Sequence, residues 1–209
     1  RDGDVDVVLV HAPEAEARFV EAGYGDKRHA VMYNDCVIVG PPGDPAGIGA
    51  AKRISEATRS IAAGESLFVS RGDDSGTHKK ELKLWQGGDI TPQGEWYREA
   101  GQGMGKVLQI ASELDAYTLT DRGTWLAYRN KSSLKVLFEG VQMLHNPYGI
   151  IAVSAGRYPD INHQGALALI EWITSTKGQQ LIGDFRIDGT QLFIPMADSG
   201  GSAVPAPAK

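Results

Sequence analysis

The chain has 209 residues, 42% of them hydrophobic and 22% charged, with a formal charge of −5 at pH 7. That length can bury a core for one large domain or for two small lobes, and no apolar run approaches the roughly 20 residues of a membrane-spanning helix. The acidic balance, with Lys79, Lys80 and Lys83 as the one dense basic cluster, argues against a nucleic-acid partner, whose phosphates require a basic face.

In chain order, VDVVLV (residues 5–10) is a β-branched apolar run that reads as a strand buried on both faces, and residues 13–22 follow as a helix closed by Gly23. HAVMYNDCVIVG (29–40) is longer than an ordinary strand and is interrupted by Asn34 and Asp35, so it is expected to run from one lobe to another. Cys36 lies in this run and is read as a small buried residue; as the single cysteine it excludes an intrachain disulfide and leaves the redox compartment open. PPGDPAG (41–47) is turn chemistry, and residues 50–63 have helical spacing with Ile54 and Ile61 on one face. A strand at 66–70 and a helix from Thr77 to about Trp85 come next.

The second half repeats the alternation. Residues 104–114 read as a helix presenting Val107, Leu108, Ile110, Ala111 and Leu114, residues 116–128 as a strand, a turn and a short helix, and residues 148–156 as a glycine-bounded strand. Residues 164–185 contain a long amphipathic helix broken near Lys177 and Gly178. Strands alternating with helices predict an α/β fold with parallel sheets. Trp85, Trp96, Trp125 and Trp172 are expected in the core or at its margin, and residues 196–209 have too little apolar content to pack and are expected to be disordered. The chain opens on Arg1 without a charged-then-apolar leader, and its strand at Val5 has no earlier partner, so the fold is expected to lack its beginning.

FVSRGDDSGTHKKELKLW (68–85) sets an apolar strand, a polar turn and a helix start in succession. With Asp74 or Ser75 as N-cap, the N–H groups of Gly76, Thr77 and His78 are free, the hydroxyls of Ser75 and Thr77 add donors, and Arg71 adds a guanidinium. The helix dipole contributes about half a positive charge at the same spot. This donor set suits a small tetrahedral oxyanion. The competing reading is structural: Asp74 or Ser75 caps the helix and Arg71 pairs with Asp73 or Asp74 at the surface, and on the motif alone the two are balanced.

GQGMGKV (101–107) fails as a nucleotide loop because three residues separate Gly101 from Gly105 and Val107 follows Lys106. Its glycines read as a tight turn into a helix, with Gly105 as a lesser candidate for ligand contact. YTLTDRGT (117–124) offers a third helix start, capped by Asp121 or Thr124, and Thr124 is the second lesser candidate. His11, His29, His78, His145 and His163 are scattered without a metal-ligand spacing, and no nucleophile elbow or facing acid–base pair is present. No metal site, cofactor or catalytic residue is predicted.

The runs DVVLVHAPEAE, VMYND with VIVGP, SRGDDSGTHKKE, GMG and AYTLTDRGTW, in this order, resemble the solute-binding proteins of tungstate-specific ABC transporters over residues 1–195. The resemblance implies a type II periplasmic-binding-protein fold: two α/β lobes joined by two crossing hinge strands, with the oxyanion in the cleft. It implies residues 1–37 with 150–195 as lobe I, incomplete at its start, and 38–149 as lobe II. It further implies anion contacts from Arg71, Ser75 and Thr77, joined by the Gly76 N–H, a permease partner, and a periplasmic or extracellular location with lipid anchoring left open. Members of that family carry an opening strand and a Thr/Ser-rich turn that nothing here matches, so a separate N-terminal fragment completing lobe I is one expectation.

Tungstate and molybdate are fully deprotonated at neutral pH and only accept hydrogen bonds, whereas hydrogen phosphate also wants an acceptor. Arg71, Ser75 and Thr77 offer donors; Asp73 and Asp74 keep phosphate open. The expected function is therefore tungstate capture for an importer, the metal entering only as its oxyanion. The alternatives are a molybdate- or phosphate-binding protein of the same superfamily, an enzyme acting on a phosphorylated substrate, or a non-binding interaction domain.

Overall fold

The computed structural model describes residues 3–197. Its elements are β1 (Val7–Val10), α1 (Pro13–Glu21), β2 (His29–Gly40), α2 (Ile54–Ala63), β3 (Phe68–Ser70), α3 (Gly76–Gly87), β4 (Tyr97–Glu99), α4 (Met104–Glu113), β5 (Thr118–Asp121), α5 (Arg122–Tyr128), β6 (Lys135–Phe138), β7 (His145–Ala152), α6 (His163–Thr174), α7 (Thr176–Asp184), and the short strands β8 (Arg186–Ile187), β9 (Thr190–Gln191) and β10 (Ile194–Pro195). The chain divides into two compact units, Arg1–Asn34 with Asn146–Lys209 and Asp35–His145. β2 and β7 each contribute to both.

In the unit Asp35–His145, β4 pairs parallel with β3, with Phe68 opposite Tyr97 and Ser70 opposite Glu99. β3 reaches the start of β5 through Val69 N–H to Tyr117 C=O and Tyr117 N–H to Leu67 C=O, both 2.8 Å. β5 and β6 then pair antiparallel with the far half of β2, Cys36 facing Asp121 and Gly40 facing Lys135. The sheet is thus mixed, where the alternation of strands and helices predicts parallel pairing. A parallel pair needs a crossover connection, and β2 enters this sheet directly from the other unit instead. The core gathers Ile38, Ile48, Ile54, Ile61, Phe68, Leu84, Trp85, Tyr117, Leu119 and Leu144. α2 supplies it because Ile54, Ala57, Thr58 and Ile61 recur at helical spacing and are all buried. Trp85 meets Phe68 edge-on at 5.0 Å, a favourable aromatic geometry.

In the other unit, β1 pairs antiparallel with β7, Val7 facing Ala152 and Val10 facing Gly149. β10 pairs with the near half of β2 at Tyr33 and Met32. Val31, Ile150, Ala152, Ala166 and Ile170 form the core here. β1 is not buried on both faces: Leu9 is 44% exposed and Val10 36%, because among the described residues β7 is its one strand neighbour. Asn34 and Asp35 do not interrupt β2, which is continuous over twelve residues. The expected long helix breaks at Ser175, two residues before the predicted point. Ser175 Oγ accepts from Gly178 N–H at 3.2 Å while donating to Trp172 C=O at 2.7 Å, so one hydroxyl closes α6 and caps α7. Trp172 is 49% exposed rather than packed.

Two local arrangements brace this unit. Glu16 is 3% exposed, accepts from Ala12 N–H at 2.6 Å and from Arg28 Nε at 2.5 Å, and a Cβ on Gly149 would lie 2.5 Å from Glu16 Oε2 and 2.6 Å from Arg28 Nε. The pair thus lies directly against the β7 backbone. Met196 and Ala197, expected in a disordered tail, are held: Met196 N–H donates to Val31 C=O at 3.0 Å, and Gln179 Oε1 accepts from both residues at 3.1 and 2.9 Å. Backbone hydrogen bonds order them where apolar content would not. The rest of that stretch lies outside the described residues.

Candidate functional site

β3 ends at the fully buried Ser70, and five residues carry the chain into α3. Gly72 (φ +57°) and Asp74 (φ +58°) are both left-handed, which folds the turn back on itself. A Cβ at Gly72 would lie 2.6 Å from Glu99 Cβ, so glycine is required there for space as well as for conformation. Ser70 Oγ accepts from Gly72 N–H at 3.3 Å, and Asp74 N–H donates to His78 Nδ1 at 3.1 Å.

Ser75 is the N-cap: its Oγ accepts from His78 N–H at 3.3 Å. The His78 N–H is therefore not free, contrary to expectation. The N–H groups of Gly76 and Thr77, the first two of α3, have no carbonyl one turn back to bond. Asp73 occupies the middle of the turn. Its Oδ1 accepts from Ser75 N–H at 3.2 Å, while Oδ2 accepts from Arg71 Nε at 3.0 Å and also from Arg71 Nη2. These donors, Arg71 foremost, hold the Asp73 carboxyl well below the usual carboxylate range. These contacts are those of the structural reading: Ser75 caps the helix and Arg71 pairs with Asp73. Yet the pair is not an exposed surface bridge, its side chains being 19% and 22% exposed. Asp74 instead faces Lys79 at 3.3 Å, with 86% of its side chain in solvent, where such a pair contributes little.

Behind the turn sits Glu81, 3% exposed. Its carboxylate accepts from Ser70 Oγ at 2.8 Å, Tyr97 Oη at 2.8 Å and Trp85 Nε1 at 3.1 Å. Burial pushes this carboxyl upward, partly offset by the three donors. The sequence reading missed Glu81. The available signal was its position three residues after His78 and four before Trp85, on the helix face that Leu84 and Trp85 bury.

β4 lies beside β3 and carries a second turn along the first: Ala100 N–H donates to Ser70 C=O at 2.9 Å and Gln102 N–H to Arg71 C=O at 3.3 Å. α4 then starts from Gly103 without a side-chain cap, leaving the Met104 and Gly105 N–H groups unpaired within the helix. Nothing lies within 4 Å of where a Cβ on Gly105 would stand. Arg71, Ser75, Gly76 and Thr77 are thus brought together at one strand-to-helix junction, with Gly105 on the adjoining turn. Thr124 stands apart chemically. Its N–H and Oγ1 both donate to the Asp121 carboxylate, at 2.8 and 2.6 Å, so the hydroxyl proton is used in capping α5. Arg122 is engaged too, with Asp35 at 2.5 and 2.7 Å and with Glu139 at 2.5 Å. Among the described residues no cluster of His, Cys, Asp and Glu could hold a metal ion, and no helix is long and apolar enough to cross a membrane.

A junction of a guanidinium, two hydroxyls and unpaired helix N–H groups offers donors of the kind an anion accepts from. Residues 1–177 match the family model of the PBP (periplasmic-binding-protein) superfamily domain. The chain belongs to the PBP superfamily. As a PBP-superfamily chain it is 46% identical over 208 residues to the tungstate-binding protein TupA of Peptoclostridium acidaminophilum, covering 94% of this chain and 70% of that protein. It is also 46% identical over 202 residues to a Haloferax volcanii protein bearing the name of an ABC transporter anion-binding protein, covering 94% of this chain. The chain spans 59% of the length of that relative. The solved structure of the tungstate-binding protein TupA from Desulfovibrio alaskensis superposes with a TM-score of 0.88 at 43% identity, covering 93% of this chain and 80% of that one. The α/β type II fold implied by the sequence is the fold found.

Proposed function

We propose that this PBP-superfamily chain captures a tetrahedral oxyanion, tungstate first, and delivers it to the permease of an ABC importer. Arg71, Ser75, Gly76 and Thr77 are the ligands in this reading, with the Gly105 N–H beside them. The carrying observation is that the junction presents donors while Asp73, the carboxylate inside the turn, is already engaged by Arg71 and Ser75. A fully deprotonated anion needs donors only, whereas hydrogen phosphate would bring a proton that the engaged Asp73 is not turned to take. Similarity to proteins named for tungstate binding supports the same choice. Molybdate shares the donor requirement and is the second ligand. Thr124 drops out as a donor because its proton is committed to Asp121.

Relatives of this kind are binding proteins of transporters, and a location outside the cytoplasmic membrane follows for this chain as part of the proposal. Among the described residues β1 has one strand neighbour, and Val5, Leu9 and Val10 are exposed; both support completion of that unit by a further segment. Comparing the anion affinity of this chain with and without an added N-terminal segment tests that part.

Isothermal titration with tungstate, molybdate, sulfate and phosphate tests the assignment. Tungstate is expected to bind tightest; a preference for phosphate refutes it. Replacing Arg71 with Glu removes a charge-assisted donor and adds repulsion, so affinity should fall by roughly 100-fold or more. Unchanged affinity removes Arg71 from the site.

A further inference from the structure

Among the described residues, Asp73 is the acidic side chain that touches two of the proposed ligands at once. Its Oδ2 accepts from Arg71 Nε and Nη2, and its Oδ1 accepts from Ser75 N–H. The aspartate therefore grips the guanidinium along one edge and leaves Nη1 unengaged by it, while fixing the backbone from which Ser75 Oγ and the Gly76 and Thr77 N–H groups depart. The arrangement is built rather than incidental. Gly72 on one side and Asp74 on the other are both left-handed, and the turn between them places the carboxylate within reach of Arg71 and Ser75 together. A free arginine side chain has large rotamer freedom that anion binding would have to remove; here its orientation is set in advance.

We propose that Asp73 is a positioning residue that determines anion specificity, by locking Arg71 and the α3 start at a fixed separation and by turning both of its own acceptor oxygens away from the ligand. This deepens the oxyanion reading and rests on it. Two consequences follow from the geometry. The locked donors fit one anion radius better than another, so tungstate and sulfate, both fully deprotonated at neutral pH but different in size, are told apart. Anions that carry a proton find the Asp73 oxygens already turned to Arg71 and Ser75.

The charge of Asp73 also repels every dianion, so removing it has two effects that must be separated. Loss of charge strengthens tungstate and sulfate by a similar factor. Loss of positioning changes their ratio. The experiment measures tungstate, sulfate and phosphate affinities by titration calorimetry for the wild-type protein, Asp73→Asn and Asp73→Ser. Asparagine and serine both still offer an acceptor to Ser75 N–H, but neither supplies the charged grip on Arg71. The wild-type ratio of sulfate to tungstate dissociation constants is expected to shrink by about tenfold or more in both variants, with phosphate gaining relative to tungstate. A ratio unchanged in a variant that melts cooperatively overturns the role of Asp73 and leaves the tungstate assignment standing. A wild-type protein that binds none of the three anions, alone or with the completing segment supplied, overturns the underlying assignment instead. Should neither substitution fold, Asp73→Glu, which keeps the charge but displaces the carboxylate by one methylene, must alter the same ratio, and an unaltered ratio there is equally a refutation.

Discussion

Replacing Glu81 with alanine strands three donors at once. Ser70 Oγ, Tyr97 Oη and Trp85 Nε1 lie 2.8, 2.8 and 3.1 Å from its oxygens, and Ser70 and Trp85 are 0% and 1% exposed, so water cannot take the place of the carboxylate. A buried donor left without an acceptor costs about 1–3 kcal/mol. Two such donors, with the lost side-chain volume added, give about 4 kcal/mol. For a chain of this size that amounts to a fall in Tm of roughly 8–16 °C. Glu81→Gln keeps the shape and a carbonyl oxygen that can accept from both Tyr97 and Trp85, so its cost is about 1 kcal/mol or less. The pH dependence separates the variants further. Burial raises the folded carboxyl above its usual 4.5, so the stability it contributes is complete below that value and is lost as pH rises through the raised folded pKa. Glutamine does not titrate, and the Gln variant should gain on the wild type across that window. Thermal melts followed by circular dichroism over a pH series read both effects. An alanine variant melting within about 2 °C of the wild type would show that the three donors find other partners, and the buried network would carry no weight.

Two further outcomes follow from the same geometry. Cys36 is 3% exposed and burial pushes its thiol up to about 12, leaving a thiolate fraction near 10⁻⁴ at about pH 8; iodoacetamide should label it only in denaturant, and rapid labelling of the native protein would contradict its burial. Gly72→Ala places a side chain at φ +57° and 2.6 Å from Glu99 Cβ, so a loss of about 2 kcal/mol or more is expected by urea unfolding; an unaltered unfolding midpoint would mean the turn relaxes freely.

The long elements were legible because their patterns are strong. α2 shows Ile54, Ala57 and Ile61 at helical spacing and β2 is a nearly continuous apolar run. The junction at Arg71 was legible because Ser75 precedes a helical segment and offers the capping oxygen. β4 and β6 were not seen: they hold three and four residues, too few to show a period, and pairing with β3 and β2 defines them. Strand direction was also hidden, since sequence order does not reveal that β2 meets β5 head to tail. At the site, composition could name Arg71, Asp73 and Asp74 as possible partners but could not choose among them. The left-handed turn at Gly72 and Asp74 makes that choice, sending Asp73 to Arg71 and Asp74 to Lys79. Glu81 escaped notice because a carboxylate on a helix normally faces water.

The ion pair of Glu16 and Arg28 pressed onto the backbone at Gly149 ties the inheritance of three distant positions. A lineage that acquires any side chain at 149 must first have surrendered the pair, and one that keeps the pair is confined to the smallest residue there. Substitutions at 16, 28 and 149 should therefore travel together in descendants of this sequence, although 133 positions separate the first from the last.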